Sequence, residues 1–263
     1  MILTDTHAHL YAEEFEADRS EVIASAQKEG VQRFFLPNID SSSIAGLLSL
    51  TKSFPESCFA MMGLHPCSVK ENYAEELGIV ESWLEKNNVI SSNERFYAIG
   101  EIGIDLYWDK AFFEEQQLAF RKQIDLAKQY DLPIVIHMRN SFKEVFRNME
   151  ELNENRLKGI FHCFSGTLEE AKKIIGLGGF YLGIGGVLTF KNSGLDKVVK
   201  EIDLKHIVLE TDSPYLAPFP HRGKRNESAY ISIIAKKVAE MKNISVEEVA
   251  EVTTENSRII FGV

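Results

Sequence analysis

The chain has 263 residues, is 44% hydrophobic, and carries a formal net charge of -10 with a sequence pI near 5.3. That length and apolar content are enough to bury one full core, at a size where α/β barrels are common. The acidic balance excludes long-range attraction of nucleic acid by the molecule as a whole, so any polyphosphate must be held by a local basic patch and bound cations. The longest apolar runs are strand-length, too short for a membrane span. Cys58, Cys67 and Cys163 are odd in number and form no C-x-x-C pair, so they read as reduced thiols of a cytoplasmic protein. Asp5 and His7 interrupt the apolar start and no small-residue cleavage site follows, so no secretory signal is expected.

Along the chain, strand-like runs are expected at residues 2–9, 33–39, 58–65, 96–104, 134–137, 159–164, 180–185 and 207–212. Amphipathic stretches at 14–30, 44–54, 74–86, 113–130, 142–152, 168–177 and 195–202 separate them, and helical patterns at 228–241 and 245–261 close the sequence. Gly30, Gly178 and Gly179 stand where helices should stop, and Asp131-Leu132-Pro133 breaks a helix before the fifth run. Ser245 with Glu248 is a capping-box candidate. This alternation predicts an α/β fold, a (β/α)8 TIM-type barrel forming a single domain over residues 1–263. An open doubly wound sheet is the alternative.

The runs end in residues with a shared chemistry: His7 and His9, His65, Glu101, His137, His162 and Asp212. In a barrel, strand carboxyl ends converge on one mouth. His7 and His9 are two apart, so on a strand both imidazoles project from one face. Each alone has a plain structural reading. A strand histidine is more often a hydrogen-bonded core residue than a ligand, and an aspartate in Asp-Ser-Pro suits a turn. Together, four histidines with Glu101 and Asp212 suffice for two divalent ions if one carboxylate is shared, and Glu101, with two oxygens and a central place in the strand order, is the natural bridge. Such a pair lowers the pKa of a water and clamps a phosphate, with Asp212 as ligand and general base. His65 reads as a hydrogen-bond donor to substrate rather than a ligand, and Glu210 as an interior acid.

Substrate contacts are expected from Arg139, two residues after His137, and from Arg222 and Lys224 in the basic stretch 220–226, which also holds His221 and Arg225. Loops after the last barrel strands are a recurrent phosphate site, although a short basic cluster is usually solvated surface. Gly183, Gly185 and Gly186 either admit a substrate to the backbone or fill a crowded strand end. Tyr107, Trp108 and Phe190 either stack on bases or pack loops. His206 precedes the eighth run, at the opposite end of the barrel.

Taken in order, D-T-H-A-H-L, G-L-H-P, G-E-I-G-I-D, H-C-F-S-G, E-T-D-S-P-Y-L-A-P and R-G-K-R-N make the chain resemble the TatD family of metal-dependent deoxyribonucleases, within the wider amidohydrolase-like barrels. The resemblance covers nearly the full length. It implies a two-metal hydrolase acting on phosphodiester bonds in DNA, in several members as a 3′→5′ exonuclease. It also implies that His7, His9, Glu101 and Asp212 hold one ion and Glu101, His137 and His162 the other. Asn140 stands where an aspartate is frequent, and Ser228 where a proline is common. The ions expected are Mg, Mn or Zn. The rival readings are an amidohydrolase-type enzyme acting on a small cyclic amide or ester, or a deacylase, and a catalytically idle barrel. The last should have lost a ligand, and none is missing.

Overall fold

The structure is a computed structural model that describes residues 1–87, 95–108, 110–153 and 157–263. Its strands are β1 (Leu3–Asp5), β2 (Val31–Leu36), β3 (Cys58–Met62), β4 (Phe96–Asp105), β5 (Ile134–Arg139), β6 (Gly159–Phe161), β7 (Phe180–Ile184) and β8 (Ile207–Leu209). They form one sheet in sequence order, and each neighbouring pair is parallel. The last strand returns to the first: Thr6 N donates to Leu209 O at 3.0 Å, Asp212 N to His7 O at 2.9 Å and His9 N to Ser213 O at 2.7 Å. The fold is therefore a closed (β/α)8 barrel.

Helices follow the strands: α1 (Arg19–Lys28), α2 (Ile44–Ser53), α3 (Tyr73–Asn87), α4 (Phe113–Tyr130), α5 (Phe142–Leu152), α6 (Leu168–Gly176) and α7 (Leu195–Glu201), then α8 (Ile231–Lys242) and α9 (Val246–Phe261) after β8. The stretches 113–130 and 142–152 coincide with α4 and α5. The expected helix over 14–30 is instead a 3-10 turn, Glu13–Phe15, followed by α1. The Arg19 guanidinium fastens that break by donating to the carbonyls of Leu10, Tyr11 and Ala12. Likewise residues 228–230 form a 3-10 turn before α8. Ser245 caps α9 by accepting from Glu248 N at 3.1 Å.

Side chains alternate across each strand, and the alternation sorts the core into two layers. Phe34, Ala60, Ile134, Phe161 and Leu182 pack outward with buried helix residues such as Ile23, Leu47, Phe120 and Ile234. Phe35, Phe59, Met61, Ala98, Val135, Ile160 and Val208 fill the interior with Ile260 and Phe261 of α9. Lys158 donates to Ile259 O and Asn256 to Ile207 O, so the end of α9 lies across the amino ends of the strands. There the Phe261 ring stacks on Phe35 with centroids 3.7 Å apart. Gly103 has φ +149°, and a Cβ there would meet His137 O at 1.9 Å, so only glycine lets β4 and β5 run this close. Among the described residues, no helix is long and apolar enough to cross a membrane.

Candidate metal centre

At the other end of the barrel the chain gathers charge. Several strands stop earlier than their apolar runs: β1 ends at Asp5, β6 at Phe161 and β8 at Leu209. His7, His9, His162 and Asp212 therefore stand on the segments just beyond, while His137 lies within β5 and Glu101 in the middle of β4 rather than at its end. All converge. His7 Nε2 lies 3.0 Å from Glu101 Oε2, and His9 Nε2 lies 3.8 Å from the same oxygen and 3.5 Å from Asp212 Oδ1. On the other carboxylate oxygen, Glu101 Oε1 faces His137 Nδ1 at 2.8 Å, His65 Nε2 at 3.5 Å and His162 Nε2 at 3.7 Å. One carboxylate thus touches both halves of the cluster. Asp212 adopts a left-handed φ of 58°, which aspartate tolerates better than most residues. Its Oδ1 lies 3.7 Å from His162 Nε2.

The remaining ring nitrogens decide what each histidine can do. Tyr11 donates its hydroxyl proton to Pro37 O at 2.6 Å, so its oxygen is left to accept from His9 Nδ1–H at 3.0 Å. His137 Nε2 bonds Asp105 Oδ2 at 2.8 Å. His162 Nδ1 lies 3.0 Å from Glu210 Oε1, a close contact outside hydrogen-bond angles. For His9 and His137 an oxygen bonded to the outer nitrogen holds the proton there, and for His162 the Glu210 carboxylate beside the outer nitrogen favours it there. In all three the inner nitrogen faces the carboxylates, as in metal-ligating histidines. His7 is fully buried, and neither ring nitrogen makes a hydrogen bond among the described residues. A buried imidazole in that state fits a ligand better than a core residue. His65 has the opposite polarity. Its Nδ1 accepts from Cys67 N at 3.0 Å, so the proton of the neutral ring sits on Nε2 and the face it turns to Glu101 is a donor. Four groups at this mouth have ligand atoms close enough to share an ion: His7, Glu101 and His162; His7, His9 and Asp212; His65, Glu101 and His137; and His162, Cys163 and Asp212. The donor set therefore fits divalent cations.

The electrostatics follow. Burial pushes the Glu101 carboxyl up, but His7, His65 and His162 outweigh it and hold it well below the usual carboxylate range. Burial also raises Asp212, and His162, His9 and His7 reverse the shift. Burial alone lowers His137 and His162, yet Asp105 with Glu101 lifts the first to about 9, and Glu210 with Glu101 and Asp212 lifts the second to about 10. His7 is lowered by burial and by the charge of His162, which stacks on it at 3.4 Å.

Two acids outside the expected set organise the centre. Asp105 is described above. Asp5, completely buried, accepts from His7 N at 3.3 Å, Thr211 N at 2.9 Å, and the hydroxyls of Thr211 and Ser228 at 2.6 Å each. It ties the β1 end to the residue before Asp212, and burial lifts its carboxyl to about 7. The signal for Asp5 was an acid inside an apolar run. Glu210 stays interior and also accepts from Cys163 N at 2.5 Å. A Cβ at Gly183 would meet Glu210 Oε2 at 2.2 Å, and one at Gly186 would meet Leu216 O at 2.1 Å, so these glycines relieve crowding rather than admit a substrate.

The expected basic contacts separate. Arg139 lines the same cavity as the cluster, of about 670 Å³, and its guanidinium lies 3.8 Å from the Tyr107 ring centroid. Arg222 sits over Phe190 at 3.9 Å in an adjoining groove, with Val187 lining both spaces. Lys224 is exposed. Arg225 is not available to a phosphate: its two terminal nitrogens grip both Asp18 oxygens, at 2.8 and 2.6 Å, and the Glu14 carbonyl and Glu227 complete the set. His221 stacks on Tyr230 at 4.2 Å, and His206 lies in the 3-10 turn before β8, away from the mouth.

A (β/α)8 barrel with a histidine–carboxylate cluster able to hold divalent ions at the carboxyl ends of its strands is the class this molecule falls in. Residues 4–262 match the family described as TatD related DNase, and the chain belongs to that family. It is 39% identical, over the whole of both chains, to an uncharacterized metal-dependent hydrolase, YabD, of Bacillus subtilis (strain 168). The crystal structure of YjjV, a TatD homolog from Escherichia coli K12, superposes with a TM-score of 0.90 at 27% identity, covering 99% of this chain and 98% of that one. A TatD family hydrolase from Entamoeba histolytica shares the fold with a TM-score of 0.85 at 24% identity, covering 99% and 98%.

Proposed function

We propose that the chain is a metal-dependent hydrolase that cleaves phosphodiester bonds in DNA, working as a 3′→5′ exonuclease from an unobstructed end. Its metal ligands are His7, His9, Glu101 and Asp212 for one divalent ion and Glu101, His137 and His162 for a second, with Mg, Mn or Zn as the candidates. The observation that carries this is the polarity of the histidines. The outer nitrogens of His9, His137 and His162 face oxygens, so their inner nitrogens turn toward Glu101 and Asp212. His65 differs from these three, because its outer nitrogen accepts a hydrogen bond and the proton of the neutral ring sits on the inner one. Bound there, divalent ions polarise a phosphoryl oxygen and lower the pKa of the attacking water.

The chain's own groups supply the rest. Asp212 is the general base: its neighbours keep it ionised, and it stands at the open side of the cluster. His65 Nε2–H donates to a phosphoryl oxygen, Glu101 couples the two ligand sets, and Arg139, Arg222 and Lys224 neutralise flanking phosphates. The family description and the relative's name support hydrolysis with metal, and the basic rim supports a phosphate ester over a neutral amide. Cys58, Cys67 and Cys163 are unpaired, which accords with the cytoplasm as the compartment. The whole of residues 1–263 acts as one domain in this reading.

The test is purified protein, stripped of metal and reloaded with one divalent ion at a time, offered end-labelled DNA beside a panel of cyclic amides, lactones and acylated amines. Metal-restored release of nucleotides from the 3′ end is expected. Turnover confined to the amide, lactone or acyl panel would replace the DNA reading with the amidohydrolase or deacylase one.

A further inference from the structure

We propose that Tyr107, Trp108 and Arg139 form a stacking platform for a nucleobase adjacent to the scissile phosphate. The proposal rests on the phosphodiesterase reading above and names how that substrate is gripped. Exposed apolar side chains scattered singly need no explanation, but a collected patch marks an interaction or ligand site, and here they collect. Tyr107, Trp108, Tyr215, Leu216 and Phe219 are five of the nine exposed large hydrophobics among the described residues, and all five follow β4 or β8, at the mouth end. Trp108 is 69% exposed and Tyr107 53%. Loop packing, the other role open to them, does not describe rings so open.

The two rings are built into a fixed shape. They meet edge to face with centroids 5.0 Å apart, and the Arg139 guanidinium carbon lies 3.8 Å from the Tyr107 centroid and 5.2 Å from that of Trp108. Asp105, 1% exposed, sets the turn beneath them: its Oδ1 accepts from Tyr107 N at 2.8 Å and Trp108 N at 3.0 Å. Its Oδ2 holds His137 Nε2 at 2.8 Å. One buried carboxylate thus fixes the aromatic turn and orients a residue of the metal cluster, so the distance from platform to cluster is set by a single side chain. Trp108, Asp105, His137 and Arg139 also line one cavity.

A flat π surface beside a cation, next to a centre suited to phosphate, matches a nucleotide in both its parts. The base stacks on the ring, as bases of every kind do on exposed aromatics, and the guanidinium faces the backbone. Because the chain is acidic overall, this local grip substitutes for a general field.

Trp83 and Trp108 are the two tryptophans, so Trp83→Phe leaves Trp108 as the only reporter. Titrating that protein, metal-loaded, with a phosphorothioate-linked oligodeoxynucleotide is expected to quench its emission saturably. Replacing the terminal bases by abasic tetrahydrofuran residues should weaken binding by about five- to one-hundred-fold. Trp108→Ala should raise KM on ordinary DNA by a similar factor with kcat within about two-fold, have no effect on abasic DNA, and be rescued by Trp108→Phe. Saturable DNA binding that leaves Trp108 emission unchanged, or equal affinity for abasic DNA, overturns the platform. Quenching without DNA hydrolysis by any metal form supports the platform and defeats the nuclease reading. Hydrolysis without quenching does the reverse.

Discussion

Among single residues, the partner of the outer ring nitrogen separates His65 from His9, His137 and His162. His65→Ala is therefore expected to keep the metal content of the unaltered protein and lose turnover by about a hundred-fold or more, the usual cost of removing one donor from a developing oxyanion. Glu101→Ala should lose both ions, and metal analysis at wild-type stoichiometry would contradict its role as the shared carboxylate. A proton signature follows as well. Without metal, His137 and His162 titrate near 9 and 10, above the ordinary value of 6.5 for an unfolded histidine. Raised pKa values contribute stability that is full below about pH 6.5 and is lost as pH climbs through 9 to 10. The Tm of metal-free protein should accordingly fall across that window, and metal addition near pH 7 should release protons into a weak buffer. A Tm that rises from pH 7 to 10 would reject the assignment of these protons. The histidines and acids were legible because each interrupts or follows an apolar stretch, although Glu101 lies in the middle of its strand and not at its end. Asp105 was not, since the register between β4 and β5 shifts between Ile99 and Ile102 and period-two counting cannot say which way an acid beyond that irregularity points.

At the level of elements, helices with an unbroken apolar stripe could be read to the residue, as α4 and α5 show. Where a side chain from outside the stripe intervened, the reading failed: Arg19 bonds three carbonyls of the preceding loop and splits the helix expected over 14–30. Strand ends were overrun for a different reason. Apolar character continues past Asp5 and Leu209 because those residues remain buried, while ladder pairing has given way to the closing bonds between the first and last strands. The extent of α9 was legible, but its amphipathic pattern does not reveal that its final turn enters the barrel. Phe261 is 4% exposed there, so Phe261→Ala is expected to lower stability by about 3–5 kcal/mol in urea unfolding, with metal content unchanged. A loss below about 1 kcal/mol would mean that the aromatic is not needed to fill the interior.

For the whole molecule, a net charge of -10 makes the cations at the mouth that have no ion pair among the described residues decisive. Replacing Arg222 and Lys224 together by alanine should raise KM for DNA and make the slope of log affinity against log salt shallower by about 1.5 to 2, one increment for each lost phosphate contact. An unchanged KM and slope would identify them as ordinary solvated surface. Arg225→Ala should behave otherwise and reduce thermal stability without altering that slope, because its partners are Asp18 and Glu227. Composition made Arg225 look equivalent to its neighbours; only the return of α1 beside the last loop distinguishes it.

The seating of Phe261 against Phe35 has one further consequence. A barrel stoppered at its floor is a blind well, not a tunnel. Nothing can be threaded through it, so any substrate entering at the rim must stop at the bottom, and any product must leave by the way it came. On the proposed DNA substrate, each round of cleavage would have to clear the well before the next length of chain could descend.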